Sequence, residues 1–211
     1  MPTPDMFPGM AGELAQAAAE LHRRGWMLAT SGNLSAVVER TPLKLLITPS
    51  GKDKGQLKPE DMVLADASGK VIEGTNKASD ELPLHLEIVE KTKAGAVVHT
   101  HSVWATLESQ AHAVDGGLAL GDYEMLKALR GVKTHRHREW LPILANAQDY
   151  AELKTEIARA LEAKPESHGL LLAGHGLYSW GRDLREALRT AEALEFLLEV
   201  KGRSEGAREG R

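Results

Sequence analysis

Gly95-Ala96-Val97-Val98-His99-Thr100-His101-Ser102 is the stretch on which the reading of this chain turns. Ala96, Val97 and Val98 favour extended backbone. Ser102 is a good N-cap for a helix over about Val103–Gln110. Side chains alternate along a strand, so His99 and His101 share a face at its end. Two neutral imidazoles placed this way can grip one borderline divalent ion such as zinc. Two histidines in a hydrogen-bonded core, or on a wet surface, give the same spacing, so pattern alone leaves both readings open.

A second apolar run, Leu170–Ala173, ends in Gly174-His175-Gly176. Glycine on both sides permits a sharp turn with little bulk around the imidazole. Read with the first stretch, this makes three histidines, the ligand set of catalytic zinc sites that keep a fourth position open. Three polar turns follow extended or apolar stretches: Thr30-Ser31-Gly32-Asn33, Thr48-Pro49-Ser50-Gly51 and Ala78-Ser79-Asp80-Glu81. Such turns expose N–H groups and hydroxyls, and a helix start adds a positive dipole end, so together they suit a phosphate. Lys52 and Lys77 lie beside two of them. Any one of the turns read alone is ordinary turn chemistry. Glu81 and Glu124 are candidate proton carriers. The stretch Lys133-Thr134-His135-Arg136-His137-Arg138 reads as a loop able to touch an anion.

Between these motifs, helices are expected over about 11–24, 82–91, 103–110, 123–129, 150–163 and 185–200. Ser79 or Asp80 is a plausible cap for the second, and Asp122 for the fourth. Strands are expected over 26–30, 34–38, 43–48, 62–65, 70–73, 95–101, 141–144 and 170–173. The mixture gives α/β or α+β. Residues 1–10 read as an N-terminal extension, 11–200 as one catalytic domain, and the glycine-rich 201–211 as a flexible C-terminal tail.

The chain has 211 residues, 42% hydrophobic and 27% charged, which is enough for an unstapled core. With 26 basic and 30 acidic residues it carries a net charge of -4, and no basic face points to nucleic acid. No cysteine is present, which removes disulfides, thiolate ligands and cysteine nucleophiles. No apolar run approaches ~20 residues, and residues 1–10 lack a signal-peptide pattern, so a cytoplasmic protein is expected. No P-loop or dinucleotide fingerprint is present.

The His-Thr-His-Ser and Gly-His-Gly motifs, with Ser31-Gly32-Asn33-Leu34-Ser35 and Ile47-Thr48-Pro49-Ser50-Gly51, resemble the class II aldolase/adducin-like superfamily. The likeness spans about residues 11–200. It implies an α/β fold of αβα layers, with a central, mostly antiparallel sheet flanked by helices. It implies one zinc ion per subunit on His99, His101 and His175. It implies phosphate contacts from Gly32, Asn33, Ser50, Gly51 and Ser79, with help from Lys77. Glu124 matches the acid/base of the superfamily's dehydratases, and Glu81 occupies the position of the aldolases' catalytic glutamate. The implied substrate is a small phosphorylated ketose and the implied reaction is loss of water. An aldolase or epimerase is the alternative. A homotetramer with sites near subunit interfaces is also implied. A non-catalytic adducin-like protein would not need the three histidines, and a metal-storing protein would not need the polar turns. In one departure, Ala78 stands where relatives often carry proline. In another, Asp80 adds negative charge beside the expected phosphate pocket unless it turns away as a helix cap.

Overall fold

The computed structural model describes residues 6–209. Five helices are present among them: α1 (Met6–Arg23), α2 (Leu82–Thr92), α3 (Val103–Ala111), α4 (Tyr150–Ala163) and α5 (Leu184–Glu209). The nine strands are β1 (Asn33–Arg40), β2 (Leu43–Ile47), β3 (Val63–Asp66), β4 (Val71–Glu73), β5 (Ala96–Thr100), β6 (Gly117–Gly121), β7 (Arg138–Leu144), β8 (Gly169–Leu172) and β9 (Gly176–Gly181). They form one sheet in the order β4-β3-β2-β1-β5-β9-β8-β7-β6. Every pairing is antiparallel except β7 with β8. This is the expected αβα arrangement with a mostly antiparallel sheet.

The alternation of β5 divides the layers. Val97 joins a core built with α2 and α4. Ala96 and Val98 join a core built with α1 and the start of α5. A third cluster packs Ala105 of α3 and Leu194, Leu197 and Leu198 of α5 onto β6, β7 and β8. Each leucine buried this way contributes about 1.5–3 kcal/mol. His99 therefore faces the α2/α4 side with Val97, whereas Thr100 faces α5. Ser102 caps α3 by accepting from the Ala105 amide at 2.9 Å, and Asp149 caps α4.

Several expectations are corrected. Residues 26–30 form turns rather than a strand: Ala29 adopts φ 55° and the Trp26 amide donates back to Leu21. Residues 123–129 form only a 3-10 segment, Glu124–Ala128, and Asp122 sits at φ 65° instead of capping it. Strands β6 and β9 escape the sequence reading because each is bounded by glycines and carries few β-branched residues. Arg138 belongs to β7, not to the preceding loop. Residues 6–10 are helical, as the first turns of α1, and residues 1–5 lie outside the described residues. The expected tail is helical to Glu209. Gly202 passes against Trp104 and Glu108 where a side chain would collide, so a glycine that weakens a helix in isolation here permits close packing. Residues 210–211 also lie outside the described residues.

Candidate functional site

The ends of β5 and β9 bring the three histidines together. His99 pairs with Tyr178 in register, and Thr100 with Leu177. His101 follows β5, and His175 precedes β9. A Cβ at Gly176 would collide with the Thr100 carbonyl, so glycine lets the two strand ends close up. The three Nε2 atoms converge, with His99 to His101 at 2.8 Å, His99 to His175 at 3.3 Å and His101 to His175 at 3.1 Å. His99 Nδ1 donates to the Leu177 carbonyl at 3.0 Å, and His175 Nδ1 donates to Asn146 Oδ1 at 3.2 Å. Those bonds fix the tautomers and leave Nε2 lone pairs facing one another.

Burial pushes the His99 imidazole well below its ordinary pKa, reinforced by the neighbouring His175. Burial, then His99 and His175, bring His101 down to about 3. Neutral rings are the form a metal ligand requires. Nitrogens at ~2.0–2.1 Å from a tetrahedral metal stand about 3.3 Å apart. Three lone pairs at 2.8–3.3 Å, with no proton between them, fit one shared cation.

Glu81 closes the fourth side. Its oxygens lie 3.4 Å from His99 Nε2 and 3.5 Å from His175 Nε2. These four residues form a group able to hold a metal ion. Glu81 stands at the N-cap position of α2 but makes no cap bond with its side chain, so neither Ser79 nor Asp80 is the cap expected from sequence. Asn33 Nδ2 donates to Glu81 Oε2 at 2.7 Å and to Ser79 Oγ at 3.0 Å. Asn33 Oδ1 accepts from His85 Nε2 at 2.5 Å, and His85 Nδ1 accepts from Ser35 Oγ at 2.7 Å. Burial lowers the His85 pKa to about 4, so the ring is neutral and the chain Ser35–His85–Asn33–Glu81 has a defined direction. The Tyr178 ring stacks on His99 with centroids 3.9 Å apart. Its buried hydroxyl lies beside Glu81 without a hydrogen-bond partner, and burial together with that charge raises its pKa.

The cavity at this centre is about 290 Å³. Gly32, Asn33, Ser50, Gly51 and Ser79 all line it, as do Glu81, His101 and His175. Gly32 has φ +70°, and a Cβ there would lie 2.9 Å from the His99 carbonyl. Lys77 is not in the lining: it is exposed and pairs with Asp80 at 2.5 Å, which also answers the charge of Asp80. Lys52 is drawn off to Asp61 at 2.5 Å. The cation that does line the cavity is Lys54, 1% exposed, whose Nζ donates to the Thr30 and Lys52 carbonyls. Burial lowers its pKa, against the raising effect of Asp53 and Glu81. Gln148 and Tyr150 complete the rim. No sequence signal separated Lys54 from its neighbours.

Glu124 is not brought to this centre within one chain. It lies in the 3-10 segment after edge strand β6, exposed, paired with Lys127 at 2.5 Å and near His135 at 3.6 Å. Tyr178 and Trp180 do not line the cavity either. Residues of the 133–137 loop line a different and larger cavity, about 790 Å³, at the opposite end of β5 and β9.

A converging histidine trio on this nine-stranded sheet defines the class, and comparison with known families agrees. The family described as class II aldolase and adducin N-terminal domain matches residues 12–201, and the chain belongs to it. The chain is 45% identical to a methylthioribulose-1-phosphate dehydratase of Pseudomonas savastanoi pv. phaseolicola, covering 90% of this chain and 92% of that one. It is 41% identical to the protein of the same name from Methylococcus capsulatus, covering 96% and 97%. Among solved structures it resembles an L-fuculose-1-phosphate aldolase of Thermus thermophilus, with TM-score 0.76, 28% identity, and 96% and 98% covered. Among the described residues, no helix is long and apolar enough to cross a membrane.

Proposed function

We propose that this chain is a zinc-dependent dehydratase that removes water from 5-methylthioribulose 1-phosphate, giving 5-methylthio-2,3-dioxopentyl phosphate, in cytoplasmic methionine salvage. The observation that carries the reading is the convergence of three Nε2 atoms beside Glu81, in a cavity walled by polar turns. Full-length likeness to the dehydratases favours loss of water over carbon–carbon cleavage. His99, His101 and His175 would hold the ion, which when bound supplies a Lewis acid for the C2 ketone.

The chain's own groups do the rest. Gly32, Ser50, Gly51 and Ser79 hold the phosphate. The Ser79 oxygen already accepts from Asn33 and from the Glu81 amide, so its hydrogen is left to donate. Lys54 adds the positive charge first assigned to Lys77. Asn33 has both amide hydrogens and its oxygen engaged, so its side chain orients Glu81. Glu81 takes the C3 proton. Glu124, brought by a neighbouring subunit of a homotetramer, gives a proton to the C4 hydroxyl, which leaves as water. The enol that remains tautomerises to the diketone and keeps its phosphate.

Likeness to a fuculose-phosphate aldolase, with Glu81 in the aldolase position, supports the second reading, an aldolase or epimerase. Turnover of methylthioribulose 1-phosphate against ribulose and fuculose phosphates separates the two. The dehydratase yields a diketone without a two- or three-carbon fragment. Fragment release, or preference for either other sugar phosphate, sinks the proposal.

A further inference from the structure

A second cluster of metal-ligating side chains lies away from the histidine centre, where α3 meets the end of α5. Glu108 and His112 are four residues apart at the end of α3, so they share a helix face. Glu205 of α5 faces them, and one ligand atom from each of the three lies within 4.8 Å of the others. We infer that Glu108, His112 and Glu205 form a second divalent-cation site that pins the end of α5 to α3.

The buried side chain of Glu108 is the independent sign. It is 6% exposed, and its Oε2 has no hydrogen-bond partner. That oxygen lies 3.8 Å from His112 Nε2, and Glu205 Oε2 lies 3.5 Å from the same nitrogen. His112 Nδ1 donates to Asp115 Oδ2 at 3.2 Å, so in the neutral ring the Nε2 lone pair faces both carboxylates. A carboxylate behind a histidine in this way is the usual support for a metal ligand. In that tautomer no hydrogen reaches Glu108 Oε2, which stays buried and unpaired. Lys201 does not satisfy it either: it engages Glu205 Oε1 and leaves Oε2 on the cluster. An orphaned buried charge is strongly unfavourable. A single cation among the three atoms satisfies all of them. One imidazole and two carboxylate oxygens suit zinc or a similar divalent ion. The site would also explain how a helix end with glycines at 202 and 206 stays seated.

Zinc titrated calorimetrically into the purified full chain, with the metal at its histidine centre retained, tests this. Wild type should bind one further equivalent saturably and melt at a higher temperature once it is bound. Glu108→Gln, nearly isosteric, and Glu205→Gln should each abolish that equivalent and the melting shift while turnover stays at the wild-type level. No further equivalent in wild type, or one that survives both substitutions, overturns the inference. Because the count is a difference between wild type and variants, it is independent of what the histidine centre catalyses.

Discussion

The two ends of the β5–β9 pair make a useful contrast. One end carries the smaller cavity, about 290 Å³, lined by His101, His175, a buried carboxylate and a buried lysine, with the buried His99 behind them. The other opens into about 790 Å³ lined by Arg130, Lys133, Arg136 and Arg182, with Glu166 and Glu186 among them. In the larger cavity the buried carboxylate is answered: Arg130 and Arg182 both lean on Glu186, at 3.3 and 2.6 Å, and the other charges face solvent. At the histidine end, lone pairs point at lone pairs and a tyrosine hydroxyl is left without a partner. Convergent lone pairs held in place by committed neighbours distinguish the group able to hold a metal ion. Volume and exposed charge do not.

The sharpest test of that contrast has the largest expected effect. His99→Ala should lose the bound metal and lower turnover by about 10³-fold or more, since metal assistance supplies several kcal/mol and each 1.36 kcal/mol is tenfold. Lys133→Ala with Arg136→Ala, in the larger cavity, should leave both near wild type. Metal analysis and initial rates read the two outcomes, and equal losses would erase the distinction between the ends.

Next in size is Glu124→Gln, which should keep the metal and lower kcat by about 10²–10⁴-fold, the range for a lost acid or base. Mixed assemblies of Glu124→Gln and His99→Ala subunits, each inactive alone, should regain activity if one chain lends Glu124 to another. Failure to regain it would return Glu124 to the surface role its pairing with Lys127 suggests.

Asn33→Ala comes third. It removes the donor that holds Glu81, and losses of this supporting kind run about 10–100-fold. The loss should fall on kcat, with KM little changed, because the phosphate is held by other groups. A KM effect alone would mean that Asn33 acts on the phosphate, as the family resemblance first implied.

How far the sequence reaches follows the same physics. The histidine motifs and the three polar turns were legible because strand alternation and glycine turns are local rules, whereas the choice of Gly32, Asn33, Ser50, Gly51 and Ser79 within those turns came from the family resemblance. Lys54 was not, because its role depends on Asp61 and Asp80 drawing Lys52 and Lys77 away, and those pairings are tertiary. His85 was missed for a similar reason. It reads as one more residue on an amphipathic helix until Asn33 and Ser35 arrive from β1. Strands β6 and β9 were missed because their glycines are chosen for close approach of neighbouring chain, which outweighs their weak strand preference. Leu184–Glu209 ran past its expected end because Gly202 is required by contact with α3.

The smallest expected effect concerns stability below neutral pH and bears on the committed network at the histidine end. His85 has a folded pKa near 4 against an ordinary 6.5, so between these values the unfolded chain binds the extra proton. Stability from this residue is therefore full above pH 6.5 and is lost as pH falls toward 4. The loss from pH 7 to 5 is about 2 kcal/mol. Glu195 works the other way. Burial raises its pKa to about 7, against the lowering effect of bonds from Ser102 and Thr100, so between 4.5 and 7 the folded chain holds the extra proton and gains stability on acidification. His99 and His101, which burial also holds below their ordinary pKa, add to the His85 loss and outweigh Glu195, so urea melts at pH 7 and 5 should show wild type losing stability. His85→Asn, which lacks the first contribution, should lose less stability than wild type over that interval, even if it starts lower. Identical slopes in both proteins would mean that His85 is protonated in the fold, and the direction assigned to the Asn33–Glu81 chain would then have to be reversed at its first bond.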